Sequence, residues 1–156
     1  MYESVISKLS EKKFDIVILA SATSDFSITK RYRNKIDSSV DKLEITLVPV
    51  HKIISKVKNI CKHDVFLVGF KAEYNVEPSL LIKKGYNKLL ESGADLIVAN
   101  DVGKKETGFG SDNNEVYIID PQKKAVHLPI QSKDKVAAKI LDLIEIKYQN
   151  KRSKTD

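Results

Sequence analysis

A second cysteine is missing from this chain, and with it any disulfide framework: Cys61 stands alone among 156 residues. His63 lies two positions away, but a Cys–His pair needs a second pair to close a metal site, and burial is the common fate of a lone thiol. Glycine is scarce too. The six glycines form neither a GxGxxG turn nor a Walker pattern, so neither of the usual glycine-rich phosphate loops is present. No apolar run reaches the roughly 20 residues of a membrane-spanning helix, and there is no secretory signal pattern. A cytoplasmic protein without membrane attachment is the expectation. His51, His63 and His127 sit in unrelated contexts, so no Ser/His/Asp or Cys/His nucleophile arrangement stands out.

What is present suits one folded domain. The apolar content is ordinary and the length allows a real core. The formal charge is +6. Such a balance is compatible with nucleic acid, with a polyanionic small molecule, or with solubility alone. The lysines are interleaved with aspartate and glutamate. The clearest basic cluster, Lys147, Lys151, Arg152 and Lys154, reads as a frayed helix end. Without a recognition helix, zinc finger or stacking platform, nucleic-acid binding ranks last. Residues 1–148 are expected to form a single α/β domain and 149–156 a basic tail.

Periodicity orders the chain. Residues 2–12 read as a helix through Val5, Ile6 and Leu9. Phe14 to Ala20 is a continuous apolar run and reads as a buried strand. Residues 21–42 lack clean periodicity, which suggests a functional or mobile loop. Leu43 to Val48 alternates like a strand. Ile53, Ile54, Val57 and Ile60 mark a helix over 52–60. Val65 to Val68 reads as a second buried strand, closed by Gly69. Pro78 opens a helix that Gly93 ends. Leu96 to Ala99 is a further strand. Val116 to Ile119 and Ala125 to Leu128 flank a hairpin turn. Ser132 caps a last helix with a stripe of Val136, Ile140, Leu143 and Ile144. Buried strands alternating with helices predict a Rossmann-like three-layer α/β sandwich, with a mostly parallel sheet and a β-hairpin extension.

Polar clusters follow the buried strands: Ser21 to Asp25, Phe70 to Glu73, Asn100-Asp101, and Ser111 to Asn114. Each alone is explained by turn formation. In a parallel sheet they would converge on the carboxyl edge, where α/β folds bind ligands. Lys35, Lys52 and Lys88 add mobile point charges suited to phosphate.

The segments ASATSDF, NKID, GFKAE, DLIVANDV and GFGSDNNEV, in that order, resemble the motifs of the phosphopantothenoylcysteine synthetase (phosphopantothenate–cysteine ligase) family of coenzyme A biosynthesis. The resemblance runs over roughly residues 14 to 145. It implies activation of the 4'-phosphopantothenate carboxylate by a nucleoside triphosphate, CTP or ATP, with Mg²⁺, followed by condensation with cysteine. By position it implies that Asp25 lies near the nucleotide and that Lys35 is a catalytic and nucleotide-binding residue on a loop closing over the reacting phosphate. The later lysines of that loop are Asp37 and Ser38 here. The nucleotide segment falls on Val50, His51, Lys52, Ile53 and Ile54, with Lys52 in the place of an acidic residue, which leaves the base open. Phe70 would lie against the nucleotide. Lys88 would be the first of two triphosphate lysines, with Ser92 in the second position. Asn100, Asp101 and Asn113 would shape the loops, and no residue is assigned to a metal.

The resemblance further implies a homodimer. It also implies an amino-terminal quarter carrying a glycine turn and an essential asparagine, and fusion to a flavin-dependent decarboxylase part. The chain thus reads as the carboxyl-terminal portion of such a ligase. The competing reading is a catalytically silent nucleotide-binding or dimerisation domain.

Overall fold

The computed structural model describes residues 1–30 and 32–153; Lys154 of the basic cluster lies outside them. The elements are α1 (Tyr2–Glu11), β1 (Ile16–Leu19), β2 (Phe26–Ile28), β3 (Leu47–Pro49), α2 (Ile54–Ile60), β4 (Phe66–Glu73), α3 (Pro78–Ser92), β5 (Leu96–Asp101), β6 (Asn113–Ile119), β7 (Ala125–Ser132) and α4 (Lys133–Arg152). The central sheet has the order β1-β4-β5-β6-β7. β1, β4 and β5 run parallel, and the β6–β7 hairpin continues the sheet antiparallel.

Strand alternation sorts the core into two faces. Leu67 and Ile97 point to one side and pack with Leu9 of α1, Ile54 and Val57 of α2 and Leu89 of α3. Phe66, Val68, Leu96 and Val98 point to the other and meet Val136, Ile140 and Ile144 of α4. The result is the expected three-layer α/β sandwich. α3 starts at Pro78 and stops at Gly93, whose φ of 64° is the left-handed turn that glycine adopts without strain.

Several details differ from expectation. β1 is an edge strand and only half-buried, with Ile18 40 % exposed, because α4 covers the inner strands and the edge has one neighbour. The loop expected over 21–42 contains β2. The next strand is shorter and later than expected, and it pairs with β2 as a separate antiparallel ribbon. β4 does not close at Gly69 but runs on to Glu73. Gly69 is needed there because a Cβ would collide with the Cδ1 atoms of Ile54 and Ile97. Ser132 stands at the N-cap position of α4 but makes no side-chain cap hydrogen bond.

The supposed tail also changes character. Residues 149–152 continue α4, and two lysines of the helix are tied to carboxylates at the edge where the parallel strands begin. Lys147 Nζ lies 2.6 Å from Asp120, and Lys151 Nζ lies 2.7 Å from Asp64 and 2.9 Å from Asp95. Cys61 is buried, and burial raises its thiol pKa. His63 Nε2 lies 2.8 Å from the Phe14 carbonyl oxygen, so the Cys61–His63 pair is absorbed into packing.

Candidate functional site

At the opposite edge, beyond the end of β1, lies a cleft of about 610 Å³. That is within the usual size for a small-molecule site. Its walls are Met1 and Tyr2 at the start of α1, the 22–25 turn after β1, and the 49–53 segment that joins β3 to α2. Asp25 and Lys52 face each other across it, with Lys52 Nζ 3.7 Å from Asp25 Oδ1. Both side chains are more than half exposed, so the pair is weak and a ligand can exchange it. The Val50 amide donates to the Asp25 carbonyl at 3.0 Å, which staples the two walls together. The His51 ring is tilted against Tyr2, with centroids 6.3 Å apart.

The structure separates the expected site residues into groups. Asp25, His51, Lys52 and Ile53 line the cleft. Ile53 and Ile54 are buried with the α1–α2 core, so their side chains anchor the segment that presents Lys52. Lys88 is half-buried on α3. Burial lowers its pKa, the Lys52 and Lys71 charges lower it further, and Glu91 and Asp25 act against them. Lys88 and Lys52 therefore share one positive field although 36 residues apart in sequence. Ser92 is buried, its uncharged hydroxyl donating to the Lys88 carbonyl at 2.7 Å rather than pointing toward the cleft.

Two residues stand apart from the cleft walls. Phe70 projects from the other face of β4 and packs against the core beneath α4. Lys35 is exposed in the segment between β2 and β3.

Asn100 and Asp101 end β5 beside this edge, and Asn113 opens β6. Asp101 is buried at the end of β5. It accepts the amides of Asn75 at 2.8 Å, Val76 at 3.2 Å and Gly103 at 2.8 Å. Burial pushes its pKa up, and those three amides more than cancel this, leaving the carboxyl below its ordinary range. Asn100 pairs in register with Ala72, and the Asn113 amide donates to Ser111 Oγ at 3.1 Å. Sequence reasoning missed Met1 and Tyr2, because α1 carries only a core-packing signal. It also gave Lys71 no role of its own, because alternation groups it with Gly69 and Glu73 but does not say which helix covers that face.

The DNA/pantothenate metabolism flavoprotein C-terminal domain family matches residues 1–147 of this chain. The chain belongs to that family. Among curated members related to this flavoprotein domain, the coenzyme A biosynthesis bifunctional protein CoaBC of Thermococcus kodakarensis is 39% identical over 145 residues, covering 93% of this chain and 34% of its own length. The solved C-terminal domain of a coenzyme A biosynthesis bifunctional protein CoaBC is 28% identical, with a TM-score of 0.66 over 96% of this chain and 63% of its own. A Cab2 mutant in complex with phosphopantothenate-cysteine shares the fold, with a TM-score of 0.66 at 19% identity over 88% of this chain and 46% of its own. The chain spans about one third of the length of the curated relatives it matches.

Proposed function

We propose that this chain is the carboxyl-terminal, nucleotide-binding portion of a phosphopantothenate–cysteine ligase. The observation that carries the reading is the cleft beyond the carboxyl end of β1, where Asp25 and Lys52 meet and Lys88 adds its charge. Each belongs to a segment that resembles the ligase motifs. Membership of a family whose relatives serve coenzyme A biosynthesis supports the same reading.

The chemistry asks for positive charge around phosphate. A carboxylate resists attack by an amine because its oxygen leaves poorly. In the proposed reaction a 4'-phosphopantothenate carboxylate oxygen attacks the α-phosphorus of CTP or ATP and expels pyrophosphate. The cysteine amine then attacks the acyl carbon, the amide forms, and nucleoside monophosphate leaves with the C–O bond pair. Lys52 and Lys88 would hold the phosphates, Asp25 would accept from a ligand hydroxyl, and Lys35 would stabilise charge at the reacting phosphate from the segment between β2 and β3. Phe70 would contact the nucleotide only after a local rearrangement of its packing. Among the described residues no group of three carboxylate, histidine or cysteine side chains is placed to hold a metal ion. Mg²⁺ would arrive chelated by the nucleotide phosphates and supply charge neutralisation there.

A homodimer fits the exposed apolar ribbon of β2 and β3, where Phe26, Ile28 and Leu47 face solvent. The decarboxylase partner and the remaining family polypeptide belong to the same proposal. Among the described residues no helix is long and apolar enough to cross a membrane.

Isothermal titration with CTP and with ATP in Mg²⁺ tests the site; absence of binding up to millimolar nucleotide overturns the reading. A catalytically silent role is favoured by Ser92 and by the position of Lys35 outside the cleft walls. Pyrophosphate release with 4'-phosphopantothenate and cysteine separates the two. In a turning-over enzyme, Lys35→Ala should lower kcat while leaving nucleotide affinity within about threefold, since the residue acts on the transition state.

A further inference from the structure

The face of β4 that looks toward α3 carries Gly69, Lys71 and Glu73 in alternate positions. Glu73 is a shared carboxylate: Lys71 Nζ lies 2.8 Å from one oxygen and Lys84 Nζ of α3 lies 2.7 Å from the other. α3 connects the parallel strands β4 and β5 and so runs back along them. Moving two residues back along β4 from Glu73 covers about 6.6 Å. Moving four residues forward along α3 from Lys84 covers about 6 Å in the same direction. Lys71 and Lys88 are therefore level with each other between strand and helix. At rest Lys71 leans on Glu73, yet its charge still bears on Lys88, and an anion between the two ammonium groups would relieve that repulsion.

Resting on the nucleotide-binding reading above, we propose that Lys71 is a further phosphate-binding residue, which grips the terminal phosphates of the nucleoside triphosphate opposite Lys88. Three observations support it. The Lys71 side chain is 35 % exposed, so it can reach a ligand. Glu73 keeps Lys84 when Lys71 swings away, so no carboxylate is left buried without a partner. Half-burial of Lys88, together with the charges of Lys52 and Lys71, lowers the Lys88 pKa; Glu91 and Asp25 compensate only in part, as expected of a site that awaits negative charge. Lys71 also supplies from the strand the second cation that Ser92, turned into the core, does not supply from the helix.

The test is calorimetric titration of the chain with CTP, CMP and inorganic triphosphate. Lys71→Ala should weaken CTP and inorganic triphosphate about 10- to 100-fold, the worth of a charge-assisted phosphate contact. CMP should change less than about twofold, and Lys71→Arg should retain most triphosphate affinity. If Lys71→Ala proves poorly folded by urea titration, Lys71→Gln, which keeps the side-chain stem, takes its place. Triphosphate binding undiminished in the variant overturns the inference while leaving the nucleotide site standing. Equal losses on CMP and CTP overturn it as well, since they mark a structural effect. Failure of the unmodified chain to bind any of the three ligands removes the nucleotide reading and this inference together.

Discussion

Removing the Asp101 carboxylate should unfasten the loops that flank the candidate site. The side chain is buried at the end of β5, and its two oxygens accept three backbone amides, from Asn75, Val76 and Gly103. A hydrogen bond to a charged acceptor contributes about 1.5–3 kcal/mol, but a freed amide that reaches water recovers much of its share. Asn75 is exposed, while Val76 and Gly103 are half-buried, so one amide rehydrates readily and two do not. Asp101→Ala should therefore cost about 3–4 kcal/mol. Asp101→Asn should cost less, about 1–3 kcal/mol, because its single carbonyl oxygen still serves Asn75 and Gly103 while its NH₂ faces the Val76 amide donor to donor.

Urea unfolding at neutral pH measures both. The pH dependence gives an independent check. The folded pKa of Asp101 is depressed below its unfolded value, which is about 3.9. Its contribution is then complete above the unfolded pKa and is lost as pH falls through the folded pKa. Asp101→Asn should flatten that acid limb. A variant within about 0.5 kcal/mol of the original, with the acid limb unchanged, would refute the assignment of Asp101 as the clasp of these loops.

Gly69→Ala places a methyl group against Ile54 and Ile97 and should destabilise by about 1–3 kcal/mol in urea titration. By displacing Ile54 it should also weaken nucleotide binding at the neighbouring Lys52. Lys147→Ala leaves the buried Asp120, among the described residues, with the Gln122 and Lys124 amides, and should cost about 1–3 kcal/mol with an unchanged m-value.

Local pattern carried much of the fold. The i, i+3, i+4 spacing of Ile53, Ile54, Val57 and Ile60 marked α2, and Pro78 and Gly93 marked both ends of α3, because helix geometry and left-handed φ are properties of neighbouring residues. The weak alternation near Leu43 to Val48 marked a strand but not its partner. Its pairing with β2 outside the main sheet depends on which backbone edges meet, and no local signal encodes that. Likewise the charges of Lys147 and Lys151 were plain, while their carboxylates on Asp120, Asp64 and Asp95 lie 27, 87 and 56 residues away.

By itself the sequence determined the element types, the α/β class and the motif series of the family, since these rest on short-range periodicity and residue identity. The tertiary structure alone decided which polar groups meet. It set Asp25 against Lys52, turned Ser92 and Ile54 inward, sent Phe70 to the α4 face, and brought Lys71 level with Lys88. The physical reason is that alternation along a strand says two residues point apart, but only the packing of helices on the sheet says which face each one occupies.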